Sequence, residues 1–281
     1  MMVASLLIVG TIGLFRRYIP LSSALIAFFR GLVGSAALAA FLWLRGKGGW
    51  RPVGGRKLAA LALNGLFLSV NWILLFEAFN RTTVAKATLC YYLQPTIVLL
   101  LSPLVFGERL TRRKLLCAAV ALAGMALVSG IFGAEGGRPR DLAGILFGLG
   151  AACFYALVII LNKKIIGVDP WQKTVVQLFC AAATLVPYLL LNGDFRGFSL
   201  DGRSALLLLI VCVVHTGLAY ALYFGSMDGL RAQTISALSY IDPIVAMLVS
   251  ALALREGVTV QGVVGAVMIL GATLISEREP V

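Results

Sequence analysis

Two short runs hold the residues best suited to chemistry. Tyr91-Tyr92-x-Gln94-Pro95 sets two phenols and an amide just ahead of a proline, and Ser236-x-x-Ser239-Tyr240-x-Asp242-Pro243 sets hydroxyls, a phenol and a carboxylate ahead of another. Proline has no N–H to return to the preceding turn, so a carbonyl is freed beside those side chains. Carbonyl, phenol and amide together suit coordination of a small polar ligand; the other use of the pattern is a packed kink. Adjacent residues on a helix point about 100° apart, so one tyrosine of the pair is expected to face a ligand. Tyr92 is the choice, because its counterpart in the second run is Tyr240. Asp242 stands where the first run has Gln94. A carboxylate at membrane depth either holds a proton or faces a cation, which makes Asp242 a candidate for proton coupling or amine binding, against the plainer role of a hydrogen-bonded group at the proline break.

Further polar residues lie in apolar surroundings. His215 is the only histidine and is followed by Thr216, Tyr220 and Tyr223; an imidazole either relays protons near neutrality or serves as a neutral hydrogen-bonding group. Asn64 and Asn71 fall seven apart, on one helix face, with Trp72 beside them. Paired amides bind polar substrate groups, and they also join helices. Tyr155 and Asn162 are weaker candidates of the same kind. Arg30 lies about nine residues into its helix, where a bare charge costs about 3 kcal/mol or more. Glu77 can pair with Arg30 or with Lys86, giving either an ion pair that ties three helices or an outer gate with an anion-attracting vestibule. The expected substrate-binding set is therefore Asn64, Asn71, Trp72, Tyr91, Tyr92, Gln94, Tyr155, His215, Tyr220, Ser239 and Tyr240. Asp242 and His215 are the proton-coupling candidates, and Arg30, Glu77, Lys86, Pro95 and Pro243 the structural or gating residues.

The elements that position these groups are helices in lipid. Of 281 residues, 60% are hydrophobic and 13% charged, and the mean hydropathy is +0.96; that is too little polar surface to coat a water-soluble globule of this size. A span needs roughly 20 apolar residues, and breaks at charge, Gly and Pro divide the chain into spans at 1–15, 20–44, 57–79, 82–106, 111–132, 141–162, 170–192, 203–226, 231–254 and 258–276. The net charge of +12 comes from small basic clusters between spans, which argues for topology and against nucleic acid. With a cytoplasmic N-terminus, fourteen basic residues fall in inner loops and eight in outer ones, so both termini are placed in the cytoplasm of a multi-pass cell-membrane protein. The first apolar run has no basic start and ends in Arg16-Arg17, so it is read as a retained helix. Five scattered cysteines, without CxxC or a His cluster, indicate neither a metal nor any other cofactor.

Displacing the chain on itself by 148 residues aligns Tyr92 with Tyr240, Pro95 with Pro243, Ser102 with Ser250, Glu108 with Glu256 and Thr111 with Thr259. This is an internal repeat, with Thr111 and Thr259 as N-caps and the two Glu closing the preceding helices. Five helices per copy is odd, so the second copy enters the membrane upside down. The fold expected is an all-α membrane protein of ten transmembrane helices built as two inverted five-helix repeats, 1–132 and 141–281. Such halves place substrate at the midplane and alternate access by rocking. The same frame leaves the first helix about seven residues short.

The segment FNRTTVAKATLCYYLQPTIVLLLSPLVFGERLTRRK, its counterpart LRAQTISALSYIDPIVAMLVSALALREGVT and Arg30 together resemble the EamA-type branch of the drug/metabolite transporter superfamily, over essentially the whole chain. The resemblance implies a ten-helix carrier with a cavity lined by helices one, three, four, six, eight and nine, often exporting amino acids or related metabolites; the short first helix is the departure. There is no Gly-x-x-x-x-Gly-Lys-Ser/Thr run, so energy must come from gradients or mass action. The expectation is a secondary transporter of a small polar or aromatic metabolite, an amino acid or related compound, working by export. Its partners are that small molecule, the lipid bilayer and protons as candidate coupling ion, as a monomer or homodimer. The rivals are an exchanger of phosphorylated or nucleotide-linked metabolites, a passive channel or scramblase, and an intramembrane enzyme, the last lacking an HExxH-like or paired-aspartate motif.

Overall fold

The computed structural model describes residues 1–44, 46, 52–107, 110–129, 139–195, 199–227, 238 and 241–277. Ser236, Ser239, Tyr240 and Glu108 lie outside the described residues. Among those described every element is helical: α1 (Met2–Gly10), α2 (Ile12–Tyr18), α3 (Ser23–Leu44), α4 (Gly55–Arg81), α5 (Val84–Tyr91), α6 (Gln94–Phe106), α7 (Arg112–Ser129), α8 (Pro139–Lys164), α9 (Pro170–Asn192), α10 (Gly202–Cys212), α11 (Ala219–Met227), α12 (Ile241–Leu248) and α13 (Val260–Glu277). Two π-helical segments, Val213–Leu218 and Val249–Ala253, continue α10 and α12.

Among the described residues six stretches are long and apolar enough to cross a bilayer alone: Ser23–Leu44, Gly55–Arg81, Val84–Phe106, Asp141–Lys164, Pro170–Asn192 and Gly202–Tyr223. Ile241–Ala253 and Val260–Ser276 are apolar but shorter. The chain is a multi-pass membrane protein, and its exterior agrees: Leu191 is 88% exposed, Leu104 85% and Leu252 76%. In water such a coat is a liability; in lipid it is the solvated face.

The breaks have local causes. Thr11 ends α1 and starts α2, its hydroxyl donating to Ile8 O at 2.7 Å. Pro95 stands at the start of α6, where it cannot donate to the carbonyl of Tyr91, so the expected single span at 82–106 is two helices joined at Tyr92 and Leu93. Asp169 caps α9 by accepting from Trp171 and Gln172 N, with Pro170 following. Asp201 caps α10 through Ser204, whose hydrogen bonds hold that carboxyl below the usual carboxylate range. Thr111 accepts from Lys114 N at 3.2 Å and Thr259 from Gly262 N at 3.0 Å, so both threonines cap as the repeat frame expects. Gly107 and Gly193 end α6 and α9 at φ +70° and +68°, the left-handed turn glycine makes without strain.

Packing is dominated by α4 against α8 and α9, α3 against α9, and α7 against α13. The pairings come in counterparts: α4 with α8 is matched by the segment Gly202–Met227 with α1, and α6 with α8 by α12 with α1. Close approach depends on glycine. A Cβ on Gly65 would meet Cys180 Cβ and Ala181 N at 2.7 Å, and one on Gly144 would meet Thr82 Cβ at 2.7 Å. Gly148 and Gly265 serve the same end, whereas Gly262 faces only its own cap residue.

Candidate functional site

A cavity of about 970 Å³ runs through the middle of the helices. It reaches the surface beside exposed Lys163 and Pro170. At its other end it stops against buried Gly13, Phe79 and Val84. Helices one, three, four, six, eight and nine of the sequence reading contribute to its wall, but so do α3 through Arg30, α7 through Lys114, α9 through Lys173 and α13 through Thr273, so the lining is not confined to those six.

The proline break shapes the centre. Because the chain turns at Tyr92, Tyr91 and Tyr92 both line the cavity, their rings 6.0 Å apart and nearly perpendicular. The expectation that only one would face it assumed an unbroken helix. Tyr155 of α8 lies 5.5 Å from Tyr91. The Tyr92 hydroxyl donates to Asp242 Oδ2 at 2.5 Å, joining α5 to α12 across the hollow. Trp72, Gln94, Pro95 and Tyr220 also line it.

Arg30 is only 5% exposed and lines the cavity. Its Nε donates to Thr216 Oγ1 at 2.9 Å, and its guanidinium carbon stands 4.4 Å from the centre of the Trp72 ring. Thr216 gives its own proton to Val211 O, five residues back in the π-helical turn, at 3.2 Å. The hydroxyl therefore offers Arg30 only lone pairs, and the π turn fixes that orientation. Thr216 was named in the sequence only as a neighbour of His215; a π turn has no local signature to flag it.

Several expected ligand groups are elsewhere. Asn64 and Asn71 are fully buried against α8, donating to Val158 O at 3.2 Å and Ala151 O at 2.7 Å. The small Ala151 and Ala152 let α4 come close enough for an amide to reach a main-chain carbonyl, so these residues join helices. Ser5 of α1 does the equivalent to Ala219 O at 2.7 Å, and position 219 is position 71 in the 148-residue frame. His215 is 2% exposed and off the cavity wall; its Nε2 lies 2.9 Å from Thr11 Oγ1 and its ring 4.6 Å from that of Phe15. It pins the break between α1 and α2. Pro243 is buried and also away from the wall.

Glu77 pairs with neither expected partner. It accepts from Ser23 Oγ at 2.7 Å and from Arg81 at 3.4 Å. Lys86 instead meets Asp141 of α8 at 3.1 Å. Both groups of that pair are about a quarter exposed, so a double-mutant cycle of Lys86→Met and Asp141→Asn should give a coupling of about 1 kcal/mol or less in detergent melts. A larger value would mean the pair is shielded from water.

Beyond the blind end lies a hydrogen-bonded seal. Arg17 donates to Glu256 Oε1 at 2.6 Å and to Thr82 O at 2.9 Å, and Glu256 Oε2 accepts from Val84 N at 2.8 Å and Ser250 Oγ at 2.5 Å. Thr82 Oγ1 donates to Asp141 Oδ1 at 2.9 Å. The ends of α2, α4, α8 and α12 are thereby stitched to the start of α5.

An apolar helical shell around an aromatic-walled hollow that carries a few charged and polar side chains and is open at one end defines a membrane transporter. The relatives place it more closely. The profile of the EamA-like transporter family matches residues 1–130 and again 142–277, and the chain belongs to that family. It is 31% identical to the "Uncharacterized transporter YxxF" of Bacillus subtilis (strain 168) over 88% of this chain and 78% of that one. An "Uncharacterized transporter" of Archaeoglobus fulgidus is 30% identical over 99% and 95%. "Protein PecM" of Dickeya dadantii (strain 3937) is 27% identical over 76% and 71%. A solved crystal structure aligns with TM-score 0.65 at 20% identity, covering 97% of this chain and 93% of that one, which speaks to fold.

Proposed function

We propose that this transporter is a secondary carrier that moves a small polar or aromatic metabolite, an amino acid or related compound, across the cell membrane by alternating access, in the direction of export. The observation that carries the reading is one-sided access: the cavity is open beside Lys163 and Pro170 and blind below the Arg17–Glu256 seal. A channel needs a path through; a carrier needs one gate shut. The counterpart pairings among helices and the two family matches support halves 1–132 and 141–281 acting as inverted repeats that rock about the hollow. The loop charge supports cytoplasmic termini, which makes the open end the cytoplasmic one.

Counterflow in proteoliposomes tests this. Unlabelled substrate inside the vesicles should accelerate uptake of the labelled compound; flux indifferent to what is inside would sink the carrier reading in favour of a channel.

Proton coupling is assigned to Asp242, whose carboxylate faces the cavity and is reached by Tyr92. Uptake of a substrate without an ammonium group, driven by an imposed pH gradient, should lose most of its dependence on that gradient in Asp242→Asn, while exchange of that substrate at equal pH persists. Unchanged gradient dependence would exclude Asp242 as the coupling group.

A further inference from the structure

We infer that Arg30 is the docking group for a substrate carboxylate, so that the carrier's cargo is a small carboxylic acid, amino acids included. The inference rests on the carrier reading of the cavity and names the chemistry of its cargo.

Arginine at membrane depth is costly unless paired, and among the described residues Arg30 forms no ion pair. Its one hydrogen bond, to Thr216, uses Nε, and Trp72 covers one guanidinium face. Both contacts hold the plane of the group in a set orientation, neither hydrogen-bonds its terminal amino groups, and Arg30 lines the cavity. A guanidinium held in this way presents parallel N–H donors, the geometry that a carboxylate accepts with both oxygens. The field agrees. Among the described residues the charged side chains lining the cavity are Arg30, Lys114, Lys163 and Lys173 against Asp242, so an entering anion passes three ammonium groups near the mouth before it meets Arg30.

Phosphate shares this fork chemistry, but carboxylate is favoured. A phosphate monoester is close to dianionic at neutral pH, and at the inner end of the cavity one arginine would face it, with the Asp242 carboxylate on the same wall. A single negative charge matches a single guanidinium. For an amino acid, Asp242 then supplies the complementary site for the ammonium group.

The test uses the purified full chain, by thermal shift in detergent and counterflow in proteoliposomes. The probes are alanine, leucine and phenylalanine, the matched amines ethylamine, isoamylamine and phenethylamine, the matched acids propionate, 4-methylvalerate and 3-phenylpropionate, and phenyl phosphate. Wild-type protein should bind probes carrying the carboxylate and ignore the amines. Arg30→Lys keeps the charge and loses the fork, and should weaken acid binding by about tenfold or more. Thr216→Val, which releases Nε, should weaken it less and leave the preference for acids intact. A loss confined to carboxylate probes marks a binding group, since structural damage would lower every probe alike. Amines bound as well as acids, acids bound equally by Arg30→Lys, phenyl phosphate preferred, or no acid bound by wild type would each overturn the assignment. Amines exchanged by counterflow while acids are not would sink it and leave the carrier reading standing.

Discussion

Gly265→Val should abolish or severely lower the yield of folded protein, while Gly271→Ala, six residues along the same helix, should not. A Cβ on Gly265 would lie 2.5 Å from Gly124 O and 2.7 Å from Val128 Cγ2; reciprocally, one on Gly124 would lie 2.7 Å from Gly265 O. The obstacle on each side is main chain, which cannot turn aside as a side-chain tip can. In lipid, helices gain nothing from leaving water and associate through close packing, so pushing α7 and α13 apart removes the force that holds them. Overpacking costs about 1–3 kcal/mol, occasionally more, and with backbone on both sides the upper end, about 3 kcal/mol or above, is expected. At Gly271 an added Cβ meets nothing within 4 Å, and the better helix propensity of alanine makes the change neutral or stabilising by up to about 1 kcal/mol. Melting of the two variants in detergent measures the difference. Equal melting temperatures would mean that α7 and α13 do not pack through this glycine pair.

That contrast shows what can be read in advance. The helical, lipid-soluted character follows from apolar runs, because bilayer thickness leaves little choice of span length. A disturbed backbone at Pro95 is legible because proline lacks the N–H, though the division of that span into α5 and α6 is not, and the caps at Thr111 and Thr259 are legible because a hydroxyl beside free N–H groups has one use. Direction around a helix is not legible at this composition. In a soluble protein, polar residues mark the water-facing side; here polar residues face either the cavity or another helix, and both are interior. Asn71 and Trp72 are adjacent, yet Trp72 lines the cavity and Asn71 donates to Ala151 O. His215 and Thr216 diverge likewise, one holding α1 to α2 and the other orienting Arg30. Which arginine takes which carboxylate was equally hidden. Glu77 lies in the same helix as Trp72 and Asn71, but the partner that decides its role, Ser23, sits 54 positions away. Long-range geometry of this kind is fixed by the close approach that small residues permit, and side-chain chemistry then settles into the contacts so created.

Glu256→Ala should open the closed end of the cavity. One carboxylate there accepts from the Arg17 guanidinium, the Val84 amide and the Ser250 hydroxyl, so removing it strands three donors at once. The Arg17 pair is partly exposed, with side-chain accessibilities of 31% and 14%, and its own worth is discounted for screening. The other two donors sit at buried residues, since Val84 is 0% and Ser250 1% exposed; stranding each costs about 1 kcal/mol or more. Together these take about 2 kcal/mol or more from the closed end, or roughly thirtyfold in the ratio of closed to open conformers. The state with that end open does not need these bonds, because water reaches the freed groups there. Thr88 lines the cavity and is 6% exposed, which makes Thr88→Cys a reporter of access from either face. In sealed vesicles of each orientation, a membrane-impermeant maleimide should label Cys at position 88 from the Lys163 face in the parent and increasingly from the Arg17 face once Glu256 is removed. Glu256→Gln, which keeps one acceptor oxygen and loses the charge, should fall between. Labelling that stays confined to the Lys163 face in both variants would show that the seal is held by packing of Gly13, Phe79 and Val84, with the carboxylate a bystander.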